Sequence, residues 1–85
     1  MERAKLDAIR TQFDSDPAFL KSAETDLSGT LRTAGLEDVQ IGRFHVSDTD
    51  EHGNSGTTPT GLKQIWICEI DGDSKRCWCT NCQNY

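Results

Sequence analysis

The sequence lacks several features that would assign it to a common class of protein. No apolar run approaches the roughly 20 residues that a membrane-spanning helix needs. The opening stretch, MERAKLDAIRTQF, is charged throughout and has no apolar segment of the kind found in signal peptides. Lysine and arginine do not cluster, and the net charge is −5, which argues against nucleic-acid binding. We therefore expect a cytoplasmic protein with no membrane span and no nucleic-acid partner.

Apolar and catalytic signals are also scarce. Hydrophobic residues make up 34% of the 85 residues, and a chain of this length buries only about 60% of its unfolded surface. The sequence has no glycine-rich phosphate loop and no G-x-S-x-G motif. Neither His45 nor His52 has a sequence context that ties it to a cysteine, as a cysteine nucleophile and its base would require. We expect one small domain that is not an enzyme.

Acidic residues stop abruptly near the end of the chain. All 14 of them lie at or before Asp73, whereas residues 74–85 contain Lys75 and Arg76 and no acid. A break in composition of this kind often marks a boundary between segments. It divides the chain into residues 1–70, a leader or recognition domain, and residues 71–85, a cysteine-rich core peptide or tail.

The pattern of apolar residues predicts a small α+β fold. Leu6, Ile9 and Phe13 have the spacing of one helical face. Asp16 and Asp26 are candidate N-caps for two further short helices, with a break at residues 25–26. The period then changes to two over residues 39–46, and KQIWICEI reads as a second strand. We expect two or three short helices, then a two-stranded antiparallel sheet that a hairpin at residues 71–73 would extend, then a flexible tail.

A family resemblance rests on the stretch DPAFLKSAETDLSGTLRTAGLE, followed by a strand, a polar loop and a second apolar strand. This arrangement resembles the leader region of nitrile hydratase-like precursor peptides over about residues 14–70. The matching residues are Asp16, Ala18, Phe19, Asp26, Leu31 and Gly35. The resemblance implies a ribosomally made natural-product precursor. Modifying enzymes would bind its folded leader and alter its C-terminal core, a leader protease would release the core, and the processed core could be exported.

Two groups of residues follow from this interpretation. The predicted leader core and recognition residues are Phe19, Leu27, Leu31, Val39, Ile41, Ile65 and Ile67. The predicted modified residues are Cys77, Cys79, Cys82, Trp78, Thr80 and Ser74. Thiols are the best nucleophiles in such a peptide, and the serine and threonine hydroxyls can be dehydrated. Exposed strand edges at residues 39–46 or 65–70 would dock the enzyme by strand addition.

The cysteine pattern C-x8-C-x-C-x2-C leaves two alternatives open. Cys68, Cys77, Cys79 and Cys82 could bind one zinc ion in a small interaction domain, although only one C-x2-C pair is present. The four cysteines could instead form two disulfides in a secreted mini-domain, for which three connectivities exist. The precursor interpretation needs no cofactor, whereas the first alternative needs zinc.

Overall fold

Three helices follow the apolar spacing and the predicted caps. The computed structural model describes residues 2–82. Its first three helices are α1 (Glu2–Ser15), α2 (Pro17–Thr25) and α3 (Leu27–Thr33). The Asp16 carboxylate accepts hydrogen bonds from the backbone N–H groups of Ala18 and Phe19, at 3.1 and 3.2 Å. Asp26 caps α3 by accepting from the Gly29 N–H at 3.1 Å. Both predicted caps are therefore confirmed. The predicted helix break at residues 25–26 is confirmed as well, since α2 ends at Thr25 and α3 begins at Leu27.

A fourth helix replaces the start of the predicted first strand. Residues 39–41 were expected in a strand, but they belong to α4, Asp38–Ile41. The Glu37 N–H donates to the Gln40 side-chain oxygen at 2.8 Å, which closes a capping-box turn and favours the helical conformation. Ile41 is buried, whereas Val39 is 67% exposed. The strand prediction was wrong here because a short alternation of apolar residues also fits one helical turn.

The sheet has three antiparallel strands in the order β1-β2-β3. They are β1, Phe44–Ser47, β2, Trp66–Asp71, and β3, Ser74–Cys79. The β2–β3 hairpin turns through Gly72, whose φ of +60° suits glycine in a two-residue hairpin loop. The α+β class and the hairpin extension are confirmed. Residues 71–85 were predicted to be a flexible tail, but residues 74–79 form strand β3. Residues 83–85 of that predicted tail lie outside the described part of the chain.

The helices pack against one face of the sheet and form the core there. The buried cluster consists of Leu6, Ile9, Phe13, Leu20, Ala23, Leu31, Leu36, Ile41, Phe44, Ile67 and Trp78, with Phe19 and Leu27 partly buried against it. Ile65 immediately precedes β2 and is half-buried. Trp78 in this cluster ties the last strand to the first helix.

The long connection between β1 and β2 is polar and is fastened at several points. Thr57 and Lys63 form an isolated antiparallel bridge, and the Lys63 ammonium lies 3.1 Å from the Asp48 carboxylate. Asp50 accepts hydrogen bonds from the backbone N–H groups of His52 and Asn54 at 2.8 and 2.9 Å. Among residues 2–82, no helix has the length and apolar character needed to cross a membrane.

Candidate functional site

The residues predicted to be modified lie close together at the end of the sheet. They are Ser74, Cys77, Trp78 and Cys79 within β3, and Thr80 and Cys82 directly after it. β3 is an edge strand, since β2 is its only neighbour in the sheet order over residues 2–82. These six residues, which are close in sequence, therefore occupy one edge strand and the turn after it.

Strand alternation separates the cysteines of β3 from its tryptophan. Cys77 lies opposite Cys68 of β2, and Trp78 lies opposite Ile67. Successive side chains of a strand point to opposite faces. Cys77 and Cys79 therefore share the sheet face that points away from the helices, whereas Trp78 points into the helix-packed core.

Both pairs of cysteines form disulfides. Cys68 and Cys77 join β2 to β3, with Cα atoms 4.0 Å apart, and Cys79 and Cys82 close a short loop, with Cα atoms 5.5 Å apart. No cysteine of the chain is free. Cys68 is fully buried, whereas the other three are half-buried. Cys68 lies within the predicted leader, residues 1–70, and the structure bonds it to Cys77 in the predicted core segment.

Trp78 is held from three sides. Its ring centroid lies 5.0 Å from that of Phe13 in α1. Its indole N–H donates to the Asp14 carboxylate at 2.8 Å, and the Arg76 guanidinium sits 5.0 Å from the ring centroid while also donating to Asp14. The sequence placed Trp78 in a polar tail with little core to hold it, and that expectation was wrong because α1 supplies the apolar surface and the acceptor.

A buried charge lies in β2, opposite Arg76 of β3. Glu69 of β2 is only 3% exposed, and both of its carboxylate oxygens accept from the Arg10 guanidinium, at 2.8 and 2.7 Å. This bidentate hydrogen bond, together with the nearby carboxylates, raises the pKa of Arg10 above its already high ordinary value. The pair fixes α1 to the centre of the sheet. Sequence reasoning missed it, since residues 59 apart give no local signal.

The segment after β3 continues to pair with the chain before β2. The Thr80 N–H donates to the Ile65 carbonyl at 2.8 Å, and the Thr80 hydroxyl lies 2.9 Å from a Glu24 carboxylate oxygen. The Asn81 side chain accepts from the Ile65 N–H at 3.0 Å and donates to the Lys63 carbonyl at 2.8 Å. The Thr80 hydroxyl is therefore engaged. Ser74, by contrast, is exposed at the hairpin.

The arrangement determines which chemistry each state of the chain allows. Disulfide sulfurs lack the thiolate charge that zinc ligands and nucleophiles need. Among residues 2–82, no group of three or more histidine, cysteine or acidic side chains is placed to hold a metal ion. Both cysteine modification and the zinc alternative therefore require a chain with reduced cysteines. Modification of Trp78 or Thr80 also requires β3 to leave the sheet.

Comparison with known proteins identifies no relative. No protein-family model, curated protein or solved structure matches this chain. The functional assignment therefore rests on the residues of the chain and their geometry.

Proposed function

We propose that this chain is the precursor of a ribosomally made peptide natural product. Residues 1–70 are the folded leader that modifying enzymes bind in the cytoplasm. Residues 71–85 contain the core that these enzymes alter and a leader protease releases for export. The observation that carries the proposal is the position of all six candidate residues on one edge strand and the turn after it.

An edge strand such as β3 can be presented to an enzyme without separating the other two strands of the sheet. Detaching β3 breaks its pairing with β2 only, because β2 is its one neighbour in the described sheet. β1 and β2 keep their own register, from Phe44 opposite Glu69 to Ser47 opposite Trp66. The β1–β2 ladder can therefore stay paired while the core is extended in an active site, and Trp78 then leaves the helix-packed core.

The side chains on this segment suit two kinds of modification. A thiol of Cys77, Cys79 or Cys82 can add to the carbonyl carbon of the preceding residue, and loss of one water then gives a thiazoline ring. Ser74 and Thr80 can each lose water to give an alkene, to which a thiol adds to form a thioether. These reactions need free thiols, so the two disulfides must be reduced before the cysteines can react.

The docking site for the modifying enzyme would be the outer edge of β1. The predicted edge at residues 65–70 is not available, since β2 is paired on both sides, and residues 39–41 are helical. β1 has β2 on one side and no further strand beside it in the described chain. Strand addition at β1 is therefore the proposed docking mode. Val46 at this edge is 45% exposed.

The experiment produces the chain together with its genomic neighbours and measures the fraction that gains a mass change within residues 74–82. A lysine at Val46 adds charge to the β1 edge and should lower this fraction about tenfold, because edge charges block strand pairing. Leu62→Lys is the matched control, since Leu62 is 60% exposed in the loop, and should leave the fraction unchanged. Equal modification of both variants would exclude β1 as the docking edge.

The second candidate is a small domain stabilised by its four cysteines, either through two disulfides or through one zinc ion, the two alternatives that the sequence leaves open. It is favoured by the burial of Trp78, which is 7% exposed, and by the disulfide that joins β2 to β3. Both make the last strand part of the folded body. Its zinc form would use the four cysteines as thiolates in the reduced chain. This candidate predicts no covalent change in any co-production, apart from the disulfides.

A further inference from the structure

We infer that the Cys68–Cys77 disulfide is a redox latch that controls release of the last strand, and that it opens after the Cys79–Cys82 disulfide. The inference concerns regulation of the segment that the proposed function would modify, and it rests on that function for its biological meaning. The inference itself says that one disulfide prevents β3 from detaching and that a dithiol allows it to detach. Both statements can be tested on the isolated chain.

The latch lies at a position where it prevents the strand from separating. Cys77 stands opposite Cys68 in the central strand of the sheet, and their bond closes a ring between residues 9 apart in sequence. Ser74 lies inside this ring and Trp78 directly follows it. While the bond is intact, residues 74–78 cannot extend away from β2. The Cys79–Cys82 bond joins the last residue of β3 to the segment that follows it and does not link β3 to β2.

Exposure sets which sulfur a reductant can reach. Cys68 is 0% exposed, whereas Cys77 is half-buried. The thiolate of an external dithiol must therefore attack the sulfur of Cys77, forming a mixed disulfide and expelling Cys68 as a thiolate that takes up a proton. The second thiol of the reductant then attacks the mixed disulfide, leaving Cys77 as a thiol and the reductant as a cyclic disulfide. Two electrons pass from the dithiol to the protein, and two protein thiols result.

The leaving group makes this reduction slow. Burial disfavours a charged thiolate, and thiols that are poor leaving groups slow exchange. Cys68 departs as a thiolate into a fully buried site. Both sulfurs of the other bond belong to half-buried residues. The Cys79–Cys82 bond therefore opens first, and β3 is released only at the second step.

Opening the latch should leave the rest of the fold in place. Trp78, Asp14 and Arg76 still hold β3 in the reduced chain, so the strand closes most of the time but can now detach. By the chain-entropy account of a disulfide, detachment becomes about 100-fold more frequent when a ring of this size is opened. The α1 helix does not depend on the bond.

The first test is hydrogen exchange of the isolated chain, with β3 amides compared between the oxidised wild type and two double variants. In Cys68→Ala/Cys77→Ala the amides of residues 75–78 should exchange about 100-fold faster, while those of α1 keep their protection. The matched control, Cys79→Ala/Cys82→Ala, should keep β3 exchange within about threefold of the wild type. Equal β3 exchange in all three chains would overturn the latch, as would equal loss of protection in α1 and β3.

A second test uses the unaltered chain and so does not depend on how the variants fold. A brief pulse of dithiol followed by alkylation and peptide mass mapping should label Cys79 and Cys82 before Cys68 and Cys77. Simultaneous labelling, or labelling of Cys68 and Cys77 first, would refute the order. Neither test involves a modifying enzyme. If the latch holds and co-production gives no covalent change, only the precursor function fails.

Discussion

Replacing Trp78 by alanine tests whether the last strand belongs to the folded body. A tryptophan side chain buries about 150–250 Å² in a core, and at about 25 cal/mol per Å² this area contributes roughly 4–6 kcal/mol as an upper estimate. Truncations of buried aromatic residues cost about 3–5 kcal/mol in practice. Since Trp78 is only 7% exposed, we expect a loss within that measured range.

Such a loss is large for a chain of this size. Stabilities of about 0.05–0.15 kcal/mol per residue give roughly 4–13 kcal/mol for the whole domain. Trp78→Ala should therefore lower the midpoint of guanidinium denaturation strongly, measured by circular dichroism on the oxidised chain. Trp78→Phe keeps a ring near Phe13 and gives up the hydrogen bond to Asp14, so we expect about 1–2 kcal/mol.

The control replaces an apolar residue that the structure places in solvent. Leu62 is 60% exposed, and Leu62→Ala should change the free energy of unfolding by no more than about 0.5 kcal/mol. The reasoning is refuted if Trp78→Ala costs less than about 1 kcal/mol, or no more than the control. Such a result would mean that β3 contributes little to the hydrophobic core.

Two further predictions concern charged groups. Glu69→Ala should lower the free energy of unfolding by about 2–3 kcal/mol, because Arg10 loses its bidentate acceptor. The control, Asp7→Ala, removes an exposed partner of the same arginine and should cost under about 1 kcal/mol. Guanidinium denaturation checks both values, and equal losses would contradict the role given to the buried pair. Hydrogen bonds from the backbone N–H groups of Asn54 and, to a lesser extent, His52 lower the pKa of Asp50. These hydrogen bonds stabilise the loop fully above the ordinary aspartate pKa, and the stabilisation is lost as the pH falls through the lowered pKa. NMR titration of the Asn54 amide should show that lowered midpoint, and an ordinary midpoint would contradict it.

The first three helices were predictable because their signals are local. Asp16 followed by Pro17 marks one helix start, and Asp26 marks the next at a distance of a few residues from the N–H group that it caps. The spacing of Leu6, Ile9 and Phe13 likewise reports the buried face of α1. Such patterns need no knowledge of the rest of the chain, so the sequence was sufficient for them.

The last strand was misjudged because what holds it is distant in sequence. The stretch SKRCWC has one large apolar residue, Trp78, and its acceptor Asp14 lies 64 positions away. A polar, cysteine-rich segment at the end of a chain reads as a tail until α1 is known to lie beneath it. The pairing of Cys68 with Cys77, by contrast, could have been predicted from the sequence. A two-residue loop places Asp71 opposite Ser74, and this register sets Cys68 against Cys77.

The most direct test of the central claim is the intact mass of the chain, produced alone and produced with its genomic neighbours, under native and denaturing conditions after reduction. The account predicts a covalent mass change only in the second sample, mapped to residues 74–82. An unchanged denatured mass in both samples would contradict the account, and one zinc ion on the reduced native chain would then point to the metal-binding interaction domain.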